Sequence, residues 1–300
     1  MPMLATDTSP EAAAIAAPLR IAFIGCGRLA RTLARAWQRA GQPVACVASR
    51  TPAHAQALAD ALPGCVALSA AEAVARADLV LLTVPDDAIA TTAAALPWRA
   101  GQAVVHCSGA TEVSVLQPAA DAGALIGGFH PLQIFSDPEQ ALALLPGCSV
   151  AIEAPPALDA QLRALAALLQ MRPIALPPGA RALYHGGASY AASFLLSMLD
   201  EAVQAWASFG VSEADALQAL LPLAEGTLKS ARAKGLAGAL AGPVSRGDAG
   251  VVARHLAAFG ALGAEQRAFY AQMTERQLRL AEASGRLSAA QRAALERVLG

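Results

Sequence analysis

"IAFIGCGRLARTLARAW", residues 21–37, decides how the chain is read. A short apolar run meets a glycine-rich turn, and a helical pattern follows. Such a run, bounded by turn residues, reads as a buried strand. Gly25 permits the tight turn, and Gly27 lets the backbone approach a bound group. Ala30 stands where the third glycine of G-x-G-x-x-G packs helix on strand. Cys26, Arg28 and Leu29 complete the loop. The positive end of the helix that starts at Arg28 suits a phosphate. A plain strand-to-helix turn is the bland alternative. The order strand, loop, helix, second strand favours a dinucleotide.

The second strand, "PVACVASR", ends without an acid. An Asp or Glu there would hold a ribose 2′-hydroxyl. Ser49, Arg50 and Thr51 instead offer a guanidinium and two hydroxyls, which suit a 2′-phosphate. The expected cofactor is therefore NADP(H), with a solvated loop arginine as the alternative for Arg50. "TVPDDAI" ends a further strand, so Thr83, Val84 and Pro85 are expected along the cofactor. "HCSGAT", 106–111, ends the next, and places His106, Ser108 and Gly109 nearer the nicotinamide. Asp86 and Asp87 read as caps of the following helix. Cys26 sits at a helix N-terminus, which can lower a thiol pKa. A small residue filling a tight turn is the favoured reading of it.

Strands alternate with helices through the first half and predict a mostly parallel sheet covered on both faces. From Tyr184 onward only helices are expected, at 184–209, 212–233, 249–260, 263–284 and 287–299. Ser288 and Gln291 form a capping box for the last. The expected fold is an α/β, Rossmann-like doubly wound domain over 19–180, then an all-α domain over 181–300. Residues 1–18 read as a disordered tail rather than a signal peptide.

The chain has 300 residues and a formal net charge of −1, so no basic face points to nucleic acid. Its 55% hydrophobic content owes much to alanine, a helix former rather than a lipid anchor. "ALYHGGASYAASFLLSML", 182–199, carries too many polar and small residues to span a bilayer and reads as a buried helix. The five cysteines are widely spaced, with no C-x-x-C pair, so neither metal nor disulfide is expected. Free thiols in a reducing cytoplasm fit.

Hydride transfer needs a nicotinamide against the substrate and a donor for the accompanying proton. His130, before Pro131, stands at a strand end, and Tyr184 and His185 open the helical half. These three are the candidates for acid–base work, with a turn-holding histidine as the alternative for His130. "AGPVSRGD", 241–248, interrupts the helical pattern. Arg246 is placed to clamp a substrate carboxylate, and Asp248 to orient it or to cap the next helix. A structural Arg–Asp pair is the alternative. The recurring arginines of the first helix, Arg28, Arg31, Arg35 and Arg39, read as a solvated face.

In order, "IGCGRLARTLA", "ASRT", "TVPDDAI", "HCSGA", "GGFHPLQIF", "LYHGGASYAASF" and "AGPVSRGD" make the chain resemble a group of bacterial Rossmann-like proteins. That group carries a C-terminal domain of unknown function, number 2520. "FHPLQ" and "GP-x-x-RGD" are the most specific pieces. The plan is also similar to pyrroline-5-carboxylate reductase and the wider 6-phosphogluconate-dehydrogenase superfamily. The resemblance implies NADP binding in a cleft and a homodimer built on the helical half. Ser193 departs from the asparagine usual in the group. Lys229 and Lys234 lie far from the lysine of the β-hydroxyacid dehydrogenases, which disfavours that chemistry. The expected function is NADP-dependent reduction of a small carbonyl or imine compound bearing an acid group. The alternative is an NADP(H)-binding sensor or scaffold without turnover.

Overall fold

The computed structural model describes residues 19–300, so the expectation for the tail over 1–18 lies outside the described residues. The chain divides into two units, the first reaching Ala188 and the second running from Ser189 to Gly300.

The first unit alternates strand and helix. Its elements are β1 (Ile21–Ile24), α1 (Arg28–Arg39), β2 (Val44–Ala48), α2 (Pro52–Asp60), β3 (Val66–Ala67), α3 (Ala70–Arg76), β4 (Leu79–Leu82), α4 (Ile89–Ala95), β5 (Ala103–His106), α5 (Gln117–Asp121), β6 (Leu125–Pro131), α6 (Pro138–Leu144), β7 (Ser149–Glu153), α7 (Pro156–Leu168), β8 (Arg172–Ala175) and α8 (Arg181–Ser189). The sheet order is β3-β2-β1-β4-β5-β6-β7-β8. Every pairing is parallel except β6 with β7. In-out alternation along each strand splits the core in two. Ile21 and Phe23 join Leu33, Trp37, Leu81 and Phe129 on one face. Ala22 and Ile24 join Val80, Leu82, Ile89 and Val104 on the other. Both faces are buried, which is why β1 and β4 read as unbroken apolar runs. The chain leaves β1 toward β3 and then crosses back to β4 on the other side of β1. Ligands of such sheets bind at the carboxyl ends of the strands at that reversal.

The second unit is helical: α9 (Ser193–Ala207), α10 (Glu213–Ala239), α11 (Pro243–Arg246), α12 (Ala249–Leu262), α13 (Ala264–Ala283) and α14 (Ala289–Leu299). Its core gathers Val244, Val252, Leu256, Leu278 and Leu295 from the last four. The capping box of Ser288 and Gln291 is present. Helix α10 runs beyond the expected end at 233 and turns at Gly235, whose φ is +70°.

Two expectations change here. The helix over 184–209 is broken, because Ala192 leaves helical geometry (φ −120°, ψ −94°). Nor is the 182–199 stretch buried in this chain: Leu183 is 83% exposed, Tyr190 75% and Leu196 68%. Among the described residues no helix is long and apolar enough to cross a membrane.

Candidate active site

The loop after β1 is held on both sides. Gly25 N donates to Ala48 O at 2.8 Å, and Thr83 N donates to Ile24 O at 2.8 Å. The Thr83 hydroxyl donates to Gly25 O at 2.8 Å. Gly25 has φ +104°, and a Cβ there would lie 2.5 Å from Thr83 O, so only glycine fits. A Cβ on Gly27 would meet nothing within 4 Å. Ala30 is fully buried beneath the loop, with its methyl in the core where a third glycine is common.

Above these strand ends lies a cleft of about 820 Å³. Gly25, Cys26, Gly27, Arg28, Leu29, Ser49, Arg50, Thr51, Thr83, Val84, Pro85 and Ser108 all line it. Ala30, His106 and Gly109 do not, although the sequence reading put them with the cofactor. Ala30 packs below the turn, and His106 is fully buried in the sheet. Gly109 instead faces two histidines: a Cβ there would lie 2.5 Å from the His185 ring and 2.8 Å from that of His130. The wall also contains His54, Asp86, Cys107 and the run Ile134, Phe135 and Ser136. That last run follows "FHPLQ" and carries no local signal for a ligand.

Two further readings are corrected, those of Asp86 and of the α1 arginines, while the favoured reading of Cys26 as a small residue filling a tight turn holds. Asp86 caps no helix; its carboxylate accepts from the Ser108 hydroxyl at 2.6 Å, which joins the β4 and β5 loops across the cleft wall. The Cys26 thiol donates to Ala48 O at 3.4 Å, and burial pushes its pKa up to about 11, against the effect of a helix N-terminus. The arginines of α1 are not one solvated face. Arg31 donates to Cys26 O at 3.2 Å, and Arg35 and Arg39 pair with Glu139.

Beside the cleft stands a cluster at the ends of β5 and β6. The Tyr184 hydroxyl lies 3.0 Å from His130 Nδ1, with the rings edge to face at 5.7 Å. The His185 ring meets that of His130 at 5.9 Å. Burial, then His185 and Arg181, lower the His130 pKa to about 4 despite Asp86. Burial and Arg181 lower that of His106 to about 3, and its Nδ1 accepts from Ser108 N at 3.3 Å. Tyr184 is raised, chiefly by burial. At neutral pH both imidazoles are uncharged, and the Tyr184 hydroxyl keeps its proton.

Sequence reasoning missed the group at the centre of the cluster. Arg181 is fully buried. Its Nε donates to Glu153 Oε2 at 2.7 Å and its Nη1 to Ser108 O at 2.8 Å. In the second unit, "AGPVSRGD" is more regular than expected: α11 is one helical turn between Gly242 and Gly247, both at positive φ. Asp248 caps α12 by accepting from Val251 N at 3.0 Å. Arg246 is exposed, and among the described residues the two form no ion pair.

The two parts match domain models in the order the motifs predict. Residues 5–131 match the Rossmann-like domain, and residues 148–277 match the domain of unknown function DUF2520. Among curated proteins none matches the chain. Among solved structures, a protein from Thermotoga maritima is 22% identical, with a TM-score of 0.75 over 89% of this chain and 100% of its own. A reductive aminase from Aspergillus terreus, in complex with NADPH and ethyl levulinate, is 17% identical. Its TM-score is 0.62 over 93% of this chain and 99% of its own. A 1-pyrroline-5-carboxylate reductase from Streptococcus pyogenes is 16% identical, with a TM-score of 0.56 over 72% of this chain and 80% of its own. At these identities the similarity is one of fold.

Proposed function

We propose that the chain is a cytoplasmic NADP-dependent oxidoreductase that reduces a small carbonyl or imine compound bearing an acid group. The observation that carries this reading is the cleft itself. It combines a glycine loop that no Cβ can enter at Gly25 with open space above Gly27. At its far wall stand Ser49, Arg50 and Thr51, with no acid at the end of β2. These residues fit NADP(H). The loop backbone and the first turn of α1 would hold the pyrophosphate, and Arg50 the 2′-phosphate. Bound there, NADPH supplies a hydride.

The chain's part is to orient the acceptor and deliver the proton. Tyr184 is the group in the cluster suited to hold that proton at neutral pH, because His130 is uncharged above about pH 4. His130 Nδ1 sets the direction of the Tyr184 hydroxyl, and the His185 ring packs edge to face against the same imidazole. Arg246 is the candidate for a substrate carboxylate, either within the chain or from a second copy. The homodimer reading is supported by α9 and α10, which have 15 and 27 residues yet bury only Val203 and Ala216. Helices of that length are stabilised mainly by packing, which a partner copy would supply. The keto ester bound by the reductive aminase and the cyclic imino acid in the name of the pyrroline-carboxylate reductase make keto and imino acids the first compounds to try.

The test is a titration of NADPH and NADH against the native chain and Arg50→Asp, followed by a screen of NADPH oxidation with keto and imino acids. A charged hydrogen bond to the 2′-phosphate is worth about 1.5–3 kcal/mol, or roughly ten- to a hundredfold in favour of NADPH. Equal affinities remove the Arg50 assignment. Tight NADPH binding without oxidation by any acceptor returns the sensor reading.

A further inference from the structure

We propose that Arg181 is a positioning residue of the candidate site: its guanidinium, anchored by Glu153, fixes the Ser108 carbonyl and so the frame in which His130 meets Tyr184. Arg181 does not line the cleft. Burying a guanidinium is costly, and apolar side chains of similar volume often serve stability as well or better. A buried Arg–Glu pair at this place therefore calls for a reason other than packing.

The geometry supplies one. Arg181 opens α8, and Tyr184 and His185 follow on the same helix. One nitrogen holds Glu153 at the end of β7, and another holds Ser108 O in the loop after β5. The guanidinium presses its Nη2 edge on β6 at Gly128, where a Cβ would be 1.8 Å from Nη2 and 2.7 Å from Cζ. His130 is two residues further along that strand. Four segments that build the cluster thus converge on one rigid fork. A second tie, Gly179 N to Glu112 Oε2 at 3.1 Å, holds the approach to α8 against the same β5 loop. The Ser108 hydroxyl carries the frame on to Asp86 in the cleft wall. Nη2 is buried without a hydrogen-bond partner. A donor left unmade is expensive, and is accepted here because the other two bonds set the position. Glycine at 128 leaves room for the guanidinium, and glycine at 109 leaves room for the two imidazoles.

The inference rests on the reading of this cluster as the reacting end, but its test needs neither substrate nor turnover. Ring-¹⁵N histidine spectra report the tautomer of His130. The native chain is expected to give one neutral tautomer at pH 7. Two independent variants disturb the fork. Arg181→Met with Glu153→Gln removes both charges without leaving one unpaired. Gly128→Ala keeps both charges and pushes the guanidinium away. Each is expected to leave His130 averaged between tautomers, with NADPH affinity within about twofold of native. A folded variant of either kind that retains the single His130 tautomer overturns the proposal. A tenfold loss of NADPH affinity with the tautomer intact also overturns it, as does failure of every variant to fold, which assigns Arg181 to the framework. Absence of NADPH binding in the native chain would instead strike the proposed function and leave the His130 result standing.

Discussion

Acidification should unfold the first unit earlier than its surface charges predict, and two histidines account for the difference. In the folded chain burial, reinforced by Arg181, lowers the His106 pKa from 6.5 to about 3. Burial, His185 and Arg181 lower that of His130 to about 4, with Asp86 opposing. Unfolded, both titrate near 6.5. Below that value the unfolded chain binds protons that the folded chain refuses, so stability rises with pH. The stability is fully present above pH 6.5 and is lost as pH falls toward the folded values. At about 1.4 kcal/mol per pH unit, keeping one imidazole neutral down to pH 4.5 costs roughly 2–3 kcal/mol, and the pair costs roughly 5 kcal/mol. That is a large part of the 5–15 kcal/mol typical of a folded domain. Urea unfolding at pH 7 and pH 4.5 measures the loss. Asparagine at each position offers an acceptor where Nδ1 stands and cannot titrate. His106→Asn and His130→Asn should each reduce the pH-dependent loss by about half, whatever their effect at pH 7. The carboxylates that pair with arginines, such as Asp78 with Arg20, lose stability in the same direction but are common to every variant. A native-minus-variant difference under about 1 kcal/mol would refute the reasoning.

Gly25→Ala, with its Cβ driven onto Thr83 O at φ +104°, should cost roughly 1–3 kcal/mol and lower the melting temperature by about 5 °C. Gly27→Ala, whose Cβ meets nothing, should melt like the native chain yet bind NADPH more weakly; equal melting losses would defeat the distinction. Arg246→Ala should leave NADPH affinity nearly intact and remove binding of an acidic substrate by about 2–5 kcal/mol, and a competition assay showing unchanged affinity returns α11 to a structural role. Light scattering at micromolar concentration should give twice the 30.4 kDa chain mass, and a monomer with its full helix content on dilution would count against the dimer.

The parts of the molecule legible in the sequence are those written in neighbouring residues. Unbroken apolar runs marked strands buried on both faces, and 3.6-residue patterns marked the helices between and after them. Gly25 was readable because a tight turn after a strand has one cheap solution, and the acid-free end of β2 because cofactor choice depends on a few adjacent side chains. The Ser288–Gln291 box was legible for the same reason. Even locally, the signal failed where backbone departed from its pattern without proline, as at Ala192. What tertiary structure decided are the contacts between residues far apart. Arg181 reaches Glu153 across 28 positions and Ser108 across 73, and Tyr184 meets His130 across 54. Asp86 was read as a helix cap because capping is local, but the fold brought Ser108 within 2.6 Å and took its carboxylate. Gly109 and Gly128 look like ordinary loop and strand glycines until the imidazoles and the guanidinium are seen to occupy their missing side chains. A buried arginine cannot be told from a solvated one by its neighbours in sequence. Its environment is set by which strands the sheet places side by side, and that order follows from packing the whole chain.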